Sequence, residues 1–196
     1  MSPARTRTAR SAARRRLEEA AEALRPDVTR PKAIAELERL FRKGSPPDPG
    51  PEGFLRGRLI ATTTTGPLDA VAAFIAARWM PWQGMSFDPQ SMTGRNRFTP
   101  DARVPLRVVW PSYEPIRADG EVVEAFPFRN RVESGAIDRD VKVLKIDYDF
   151  AANPGFLIRR ILDELVQVDD ALYLGKVLLR WRGSFRRVGF FSLEGP

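Results

Sequence analysis

Apolar residues recur along this chain with two different periods, and the change of period marks its organisation. From residue 11 to residue 43 the spacing is helical. SAARRRLEEAAEALR (11–25) is built from strong helix formers and stops at Pro26. Pro31 to Lys43 predicts a second helix: proline suits its first turn, Ile34, Leu37, Leu40 and Phe41 form one stripe, and Gly44 closes it. SPPDPGPEG (45–53) follows, with four prolines and two glycines. Such a stretch is a linker or rigid strap, and it sets the expected boundary between an arm at 1–44 and a domain at 54–196.

Beyond the linker, alternation takes over. GRLIATTTT (57–65) predicts a strand ended by Gly66-Pro67. LDAVAAFIAARWM (68–80) returns to helical spacing, is apolar on more than one side, and stops before Pro81. VPLRVVW (104–110) alternates Val104, Leu106, Val108 and Trp110, and so predicts a strand. In VVEAFPFRNRVE (122–133), Val122, Glu124, Phe126, Phe128, Asn130 and Val132 share a face. VKVLKIDY (141–148) gathers Leu144, Ile146 and Tyr148. A helix is expected from Asn153, with Pro154 at its first position, an apolar side from Phe156 to Leu165, and Arg159–Asp163 and Arg160–Glu164 paired on its wet side. YLGKVLLRW (173–181) and FRRVGFFSL (185–193) form the clearest hairpin, joined by Arg182-Gly183-Ser184.

Many strands, two helices inside the domain and no βαβ alternation predict a mainly β (α+β) fold. Its form is an antiparallel sheet curled into a barrel or half-barrel, with plugging helices and a helical N-terminal arm.

Composition removes much chemistry. The 196-residue chain has no cysteine and no histidine. That excludes disulfides, thiolate metal sites, a cysteine nucleophile, the Ser-His-Asp triad and the usual general base. No metal site and no cofactor is expected. No apolar run approaches the roughly eighteen residues that span a bilayer. The +7 net charge is local: residues 1–16 hold Arg5, Arg7, Arg10, Arg14, Arg15 and Arg16 and no acid. Without those six, the chain is close to neutral. The excess is an arm suited to weak, non-specific anion contact or to a solvated tail. Its arginine-rich, acid-poor start resembles a transit peptide, whereas the Ala/Arg/Pro usage suggests a bacterial cytoplasmic protein.

Candidate chemistry collects on inward-facing strand positions. One hairpin face carries Tyr173, Val177, Leu179 and Trp181, then Phe185, Arg187, Phe191 and Leu193. Arg187 on that apolar face needs a carboxylate, a carbonyl or an anionic ligand, and Glu124 is the candidate carboxylate. Tyr148 and Asn130 are further polar groups on inward faces. The alternatives are an internal salt bridge, a polar anchor for a ligand head group, or a one-residue slip of strand phase that turns Arg187 outward. WMPWQGMSF (79–87) supplies Trp79, Trp82 and Phe87 as a helical plug at one end of the barrel. Asp147 and Asp149 flank Tyr148 on the opposite, outward face. Asp169-Asp170 fit a turn.

Two segments resemble a family. Gly57-Arg58-Leu59-Ile60, Gly66-Pro67-Leu68-Asp69 and Trp82-Gln83-Gly84-Met85-Ser86-Phe87-Asp88 come first. Tyr148-Asp149, Asn153-Pro154, Val168-Asp169-Asp170, Leu174-Gly175 and Phe190-Phe191-Ser192-Leu193-Glu194 follow. Their order and spacing are similar to the bacterial two-part proteins called GXWXG/DUF4334. Leu59 replaces that pattern's tryptophan, Met85 replaces its lysine, and residues 95–140 are unmatched. The resemblance implies a lipocalin-like, or calycin-like, barrel and supplies no catalytic residues. The expected function is binding of a hydrophobic small molecule, such as a lipid, isoprenoid or polyketide-like compound. The proposed wall is Trp79, Trp82, Phe87, Glu124, Phe126, Phe128, Asn130, Tyr148, Trp181, Arg187 and Phe191. Two alternatives stand beside it: a barrel isomerase, cyclase or lyase using Tyr, Glu or Arg, and an interaction module whose arm binds nucleic acid or a partner.

Overall fold

The computed structural model describes residues 3–24, 30–48, 50–62 and 81–195. The helix expected at 68–80, with Trp79, and the end of the Thr-rich strand lie outside these residues.

Two helices, α1 (Pro3–Ala23) and α2 (Arg30–Lys43), precede the sheet. Its strands are β1 (Gly53–Thr62), β2 (Trp82–Asp88), β3 (Thr93–Phe98), β4 (Arg117–Ala118), β5 (Val123–Ser134), β6 (Lys142–Asp147), β7 (Ile161–Asp169), β8 (Leu172–Trp181) and β9 (Ser184–Glu194). A short helix, α3 (Arg103–Val109), lies between β3 and β4. The order β3-β2-β1-β9-β8-β7-β6-β5 closes on itself because β3 also pairs with β5. Eight antiparallel strands therefore form a closed barrel, and β4 is a short flap on β5. Closure leaves no long free edge.

The sheet is buried on its inner face, and on its outer face where the two N-terminal helices cover β6 to β9. Inside, Leu55, Met85, Phe87, Phe128, Leu144, Leu165, Phe191 and Leu193 form part of one cluster. Outside, Leu17, Ala20, Leu37, Leu40 and Phe41 of α1 and α2 pack on Val143, Val166, Leu172, Leu174 and Phe190. The helices thus share an apolar layer with the barrel and do not form a separate core. Ser45 bridges to Gln167, which straps the start of the proline-rich stretch to β7.

Two expected elements exchange type. Residues 103–109 are helical, following a Pro100–Ala102 turn. Pro105 lies in the first turn, where its missing N–H costs nothing. The apparent alternation had no buried face: Val104 and Val108 are 70% and 67% exposed, and only Leu106 enters the core. Conversely, the expected helix from Asn153 is a loop and a single 3-10 turn, and Ile161–Asp169 is strand. β7 has the barrel interior on one side and the helices on the other, so both of its faces read as apolar. A doubly buried strand loses the alternation that identifies it.

The β8–β9 hairpin forms as expected, with a tighter loop. Trp181 pairs with Ser184, and Arg182 and Gly183 both have positive φ (49° and 83°), the two-residue turn that matches strand twist. A bulge then inserts Val188 between Gly189, opposite Val177, and Arg187, opposite Leu178. A second bulge falls at Phe126-Pro127 in β5, with Phe126 at φ 53°. Each extra residue reverses the phase of one part of its strand.

No helix among the described residues is long and apolar enough to cross a membrane.

Candidate functional site

Cross-strand pairing stacks the inner side chains in rows. The lower row runs Leu144, Leu165, Gly175, Phe191, Leu59. Phe191 fills it by lying over Gly175: a Cβ there would be 2.2 Å from the ring. Phe128 over Gly94 and Trp82 over Gly57 use the same device. Absent side chains thus seat three aromatic rings inside the barrel. The next row runs Ile146, Asp163, Val177, Gly189, Thr62. It holds no aromatic ring and one acid. Val188, at its bulge, closes part of it. Leu59 shares the inner face of Phe191 yet is only half-buried.

Asp163 ends a one-way chain of hydrogen bonds. Trp82 Nε1 donates to Asn96 Oδ1 at 2.9 Å. An indole N–H is only a donor, which fixes the orientation of the Asn96 amide. Asn96 Nδ2 donates to Tyr148 Oη at 3.1 Å and to the Phe126 carbonyl at 3.3 Å. Tyr148 Oη donates to Asp163 Oδ2 at 3.1 Å. Asp163 Oδ1 is buried and has no hydrogen-bond partner. Burial pushes the Asp163 carboxyl up to about 8, with the neighbouring Glu164 charge adding to it and the Tyr148 hydrogen bond opposing it. At neutral pH the acid is therefore mostly protonated, the form a dry interior favours. Burial, then the Asp163 charge, holds the Tyr148 phenol well above its ordinary value.

The expected site residues divide into three groups. Trp82, Phe87, Phe126, Phe128, Tyr148 and Phe191 all belong to the interior cluster, Trp181 packs against it, and Asn130 is buried. Trp79 lies outside the described residues. Glu124 and Arg187 face outward, a correction with one cause: the bulges at Phe126-Pro127 and Val188 reverse their phase. Glu124 accepts from Arg95 Nε at 2.8 Å. Arg187 pairs with Glu38 of α2 and lies over the Phe190 ring. The two residues expected to pair with each other therefore have separate partners on the outer surface.

The outer face of the hairpin is dry where α2 covers it. Lys176 is 2% exposed, bonds Asp138 at 2.6 Å and Glu38, and lies over the Phe41 ring. Among the described residues it is the one cation in the buried set, and it points away from the interior. The Arg159–Asp163 and Arg160–Glu164 pairs do not form. Arg159 pairs with Asp149 at 2.8 Å, and Glu164 accepts from the Ala136 amide on the outer side. Asp147 and Asp149 do point outward. They line an outer cleft of about 230 Å³ whose Arg131, Arg159 and Arg180 they pair with. Asn153 clips its loop to the Pro127 and Tyr148 carbonyls instead of capping a helix. No group able to hold a metal ion occurs among the described residues.

Asp163 and Asn96 are the interior residues that sequence reading passed over. Asn96 had a signal in period two, Gly94, Asn96, Phe98, whereas Asp163 had none, because β7 is buried on both faces.

The cap over this end is aromatic. Phe126 stacks on Tyr113 at 5.1 Å and meets Trp110 and Phe98 edge-on. Tyr113 Oη accepts from the Phe126 amide at 2.7 Å, which anchors the positive-φ residue to the loop after α3.

No protein-family model matches this chain, and no curated protein matches it. One solved structure, described as the crystal structure of a protein from Thermomonospora curvata, is similar over 91% of this chain and 99% of its own. The two are 17% identical, with a TM-score of 0.47.

Proposed function

We propose that the barrel binds a hydrophobic small molecule, such as a lipid, an isoprenoid or a polyketide-like compound, inside its closed sheet. One observation carries this reading: a buried, unpartnered polar oxygen on Asp163, set in an apolar row without an aromatic ring, between Phe191 below and the aromatic cap above. Unmet buried polar atoms are costly, and they collect where a ligand supplies the missing partner. Soaking the protein with a lipid extract and identifying the retained compounds by native mass spectrometry tests it. The expected result is a defined adduct that competes with an apolar fluorescent probe. A protein that retains nothing and takes up no probe would overturn it.

The Asp163–Tyr148 pair favours a second reading, an isomerase, cyclase or lyase on the same interior. An acid held near 8 is matched to proton transfer at neutral pH, and without histidine that work falls to groups of this kind. Under this reading Asp163→Asn abolishes turnover of a retained compound while retaining its binding. Unaltered turnover in that variant excludes it.

A further inference from the structure

The polar chain inside the barrel has a direction, and the direction carries information about the ligand. Every donor and acceptor from Trp82 Nε1 to Tyr148 Oη is used, and the one open position is Asp163 Oδ1. Tyr148 has a single hydroxyl proton and gives it to Oδ2. The proton of a neutral Asp163 therefore sits on Oδ1, where it is a donor without an acceptor. The lone cation in the described buried set, Lys176, lies on the other face of its strand. The arginine expected to receive a carboxylate, Arg187, is outside and paired with Glu38.

We infer, resting on the binding reading above, that the ligand is uncharged and carries a hydrogen-bond-accepting oxygen, an ester, ketone or aldehyde carbonyl, which Asp163 Oδ1 anchors. A carboxylate would bring a bare negative charge into the dry interior beside a neutral Asp163, and in the described buried set the sole cation, Lys176, faces the other way. A plain hydrocarbon would leave the Oδ1 proton unpaired. The carbonyl alone satisfies it and keeps the interior neutral.

The full chain is titrated at neutral pH with three probes of matched length: palmitate, methyl palmitate and hexadecane. Binding is followed by tryptophan fluorescence and by displacement of an apolar dye. Methyl palmitate is expected to bind at least roughly tenfold more tightly than either of the others, the difference one good hydrogen bond makes. Its carbonyl stretch should shift to lower frequency when bound. Asp163→Leu should remove both the preference and the shift, and Asp163→Asn, which keeps an N–H donor, should restore part of each. Equal binding of all three probes, tightest binding of palmitate, or an unshifted carbonyl overturns the inference and leaves barrel binding standing. Failure of every probe and of the dye overturns the binding reading itself. The wild-type ranking and the infrared shift decide the question even if Asp163→Leu does not fold.

Discussion

Tyr148 hands its only hydroxyl proton to Asp163 across the inside of the barrel, while the second oxygen of the same carboxyl has no partner. A tie of this kind links the end of β6 to β7 at the point where the chain leaves the sheet for the 148–160 loop.

Burial of that carboxyl makes stability depend on pH with a definite sign. An aspartate carboxyl ordinarily titrates near 3.8, and this one is raised to about 8 in the fold. Between those values the unfolded chain has lost the proton and the folded chain keeps it. The unfolded state binds fewer protons, so stability falls as pH rises, by up to about 1.4 kcal/mol per unit, and levels off above 8. Asp163→Asn removes this contribution. Urea midpoints measured for both proteins between about pH 5 and about pH 8 should converge at the acid end and diverge at the alkaline end, the variant being the more stable there. Parallel curves would mean that Asp163 is ionised in the fold.

Gly175 is the seat of the Phe191 ring. Gly175→Ala places a methyl group 2.2 Å from that ring, and overpacking of this kind costs about 1–3 kcal/mol. Phe191→Leu should reduce the penalty, so the double variant should be more stable than the sum of the two single losses. Thermal melts of the four proteins give the coupling; strict additivity would place the ring elsewhere.

Lys176 holds Asp138 and Glu38 beneath α2. Lys176→Ala removes the buried member of this ionic group, while Arg42 still pairs with Asp138 and Arg187 with Glu38, so it should cost about 1.5–3 kcal/mol. Lys176→Met, which keeps an apolar stem over the Phe41 ring and leaves both carboxylates their arginines, should recover part of that loss. Chemical denaturation distinguishes the two cases. A mild effect of Lys176→Ala alone would show that α2 does not cover the site in solution.

The helices and the barrel share one apolar layer, so they should unfold together. Leu37 is fully buried there, and Leu37→Ala should cost about 2–5 kcal/mol. The near-ultraviolet signal of Trp82, inside the barrel, should report the loss at the same temperature as the far-ultraviolet helix signal. Two separate transitions would instead describe an independent arm.

Much of this architecture is legible in one dimension. The β8–β9 hairpin, β5, β6 and helix α2 follow from alternation, helical spacing and turn residues, because each has neighbours that differ between its faces or a strong local stop. The outward positions of Asp147 and Asp149 follow from the same parity. The inward cluster of aromatics around Trp82, Phe128, Tyr148 and Phe191 was likewise readable, since large apolar side chains on one strand face have to be covered.

By itself the sequence determined a closed or nearly closed antiparallel sheet, an interior rich in aromatic residues, and a chemistry without histidine or cysteine. Those properties depend on composition and local period alone. Tertiary structure decided the polar site. The register around β5 and β9 depends on bulges that insert Phe126-Pro127 and Val188, and an inserted residue turns Glu124 and Arg187 outward while leaving composition untouched. β7 is strand because helices cover its outer face while the barrel covers the inner one. A segment apolar on both sides carries no periodic mark of which it is, so the place of Asp163 opposite Tyr148 emerges only when both layers are assembled.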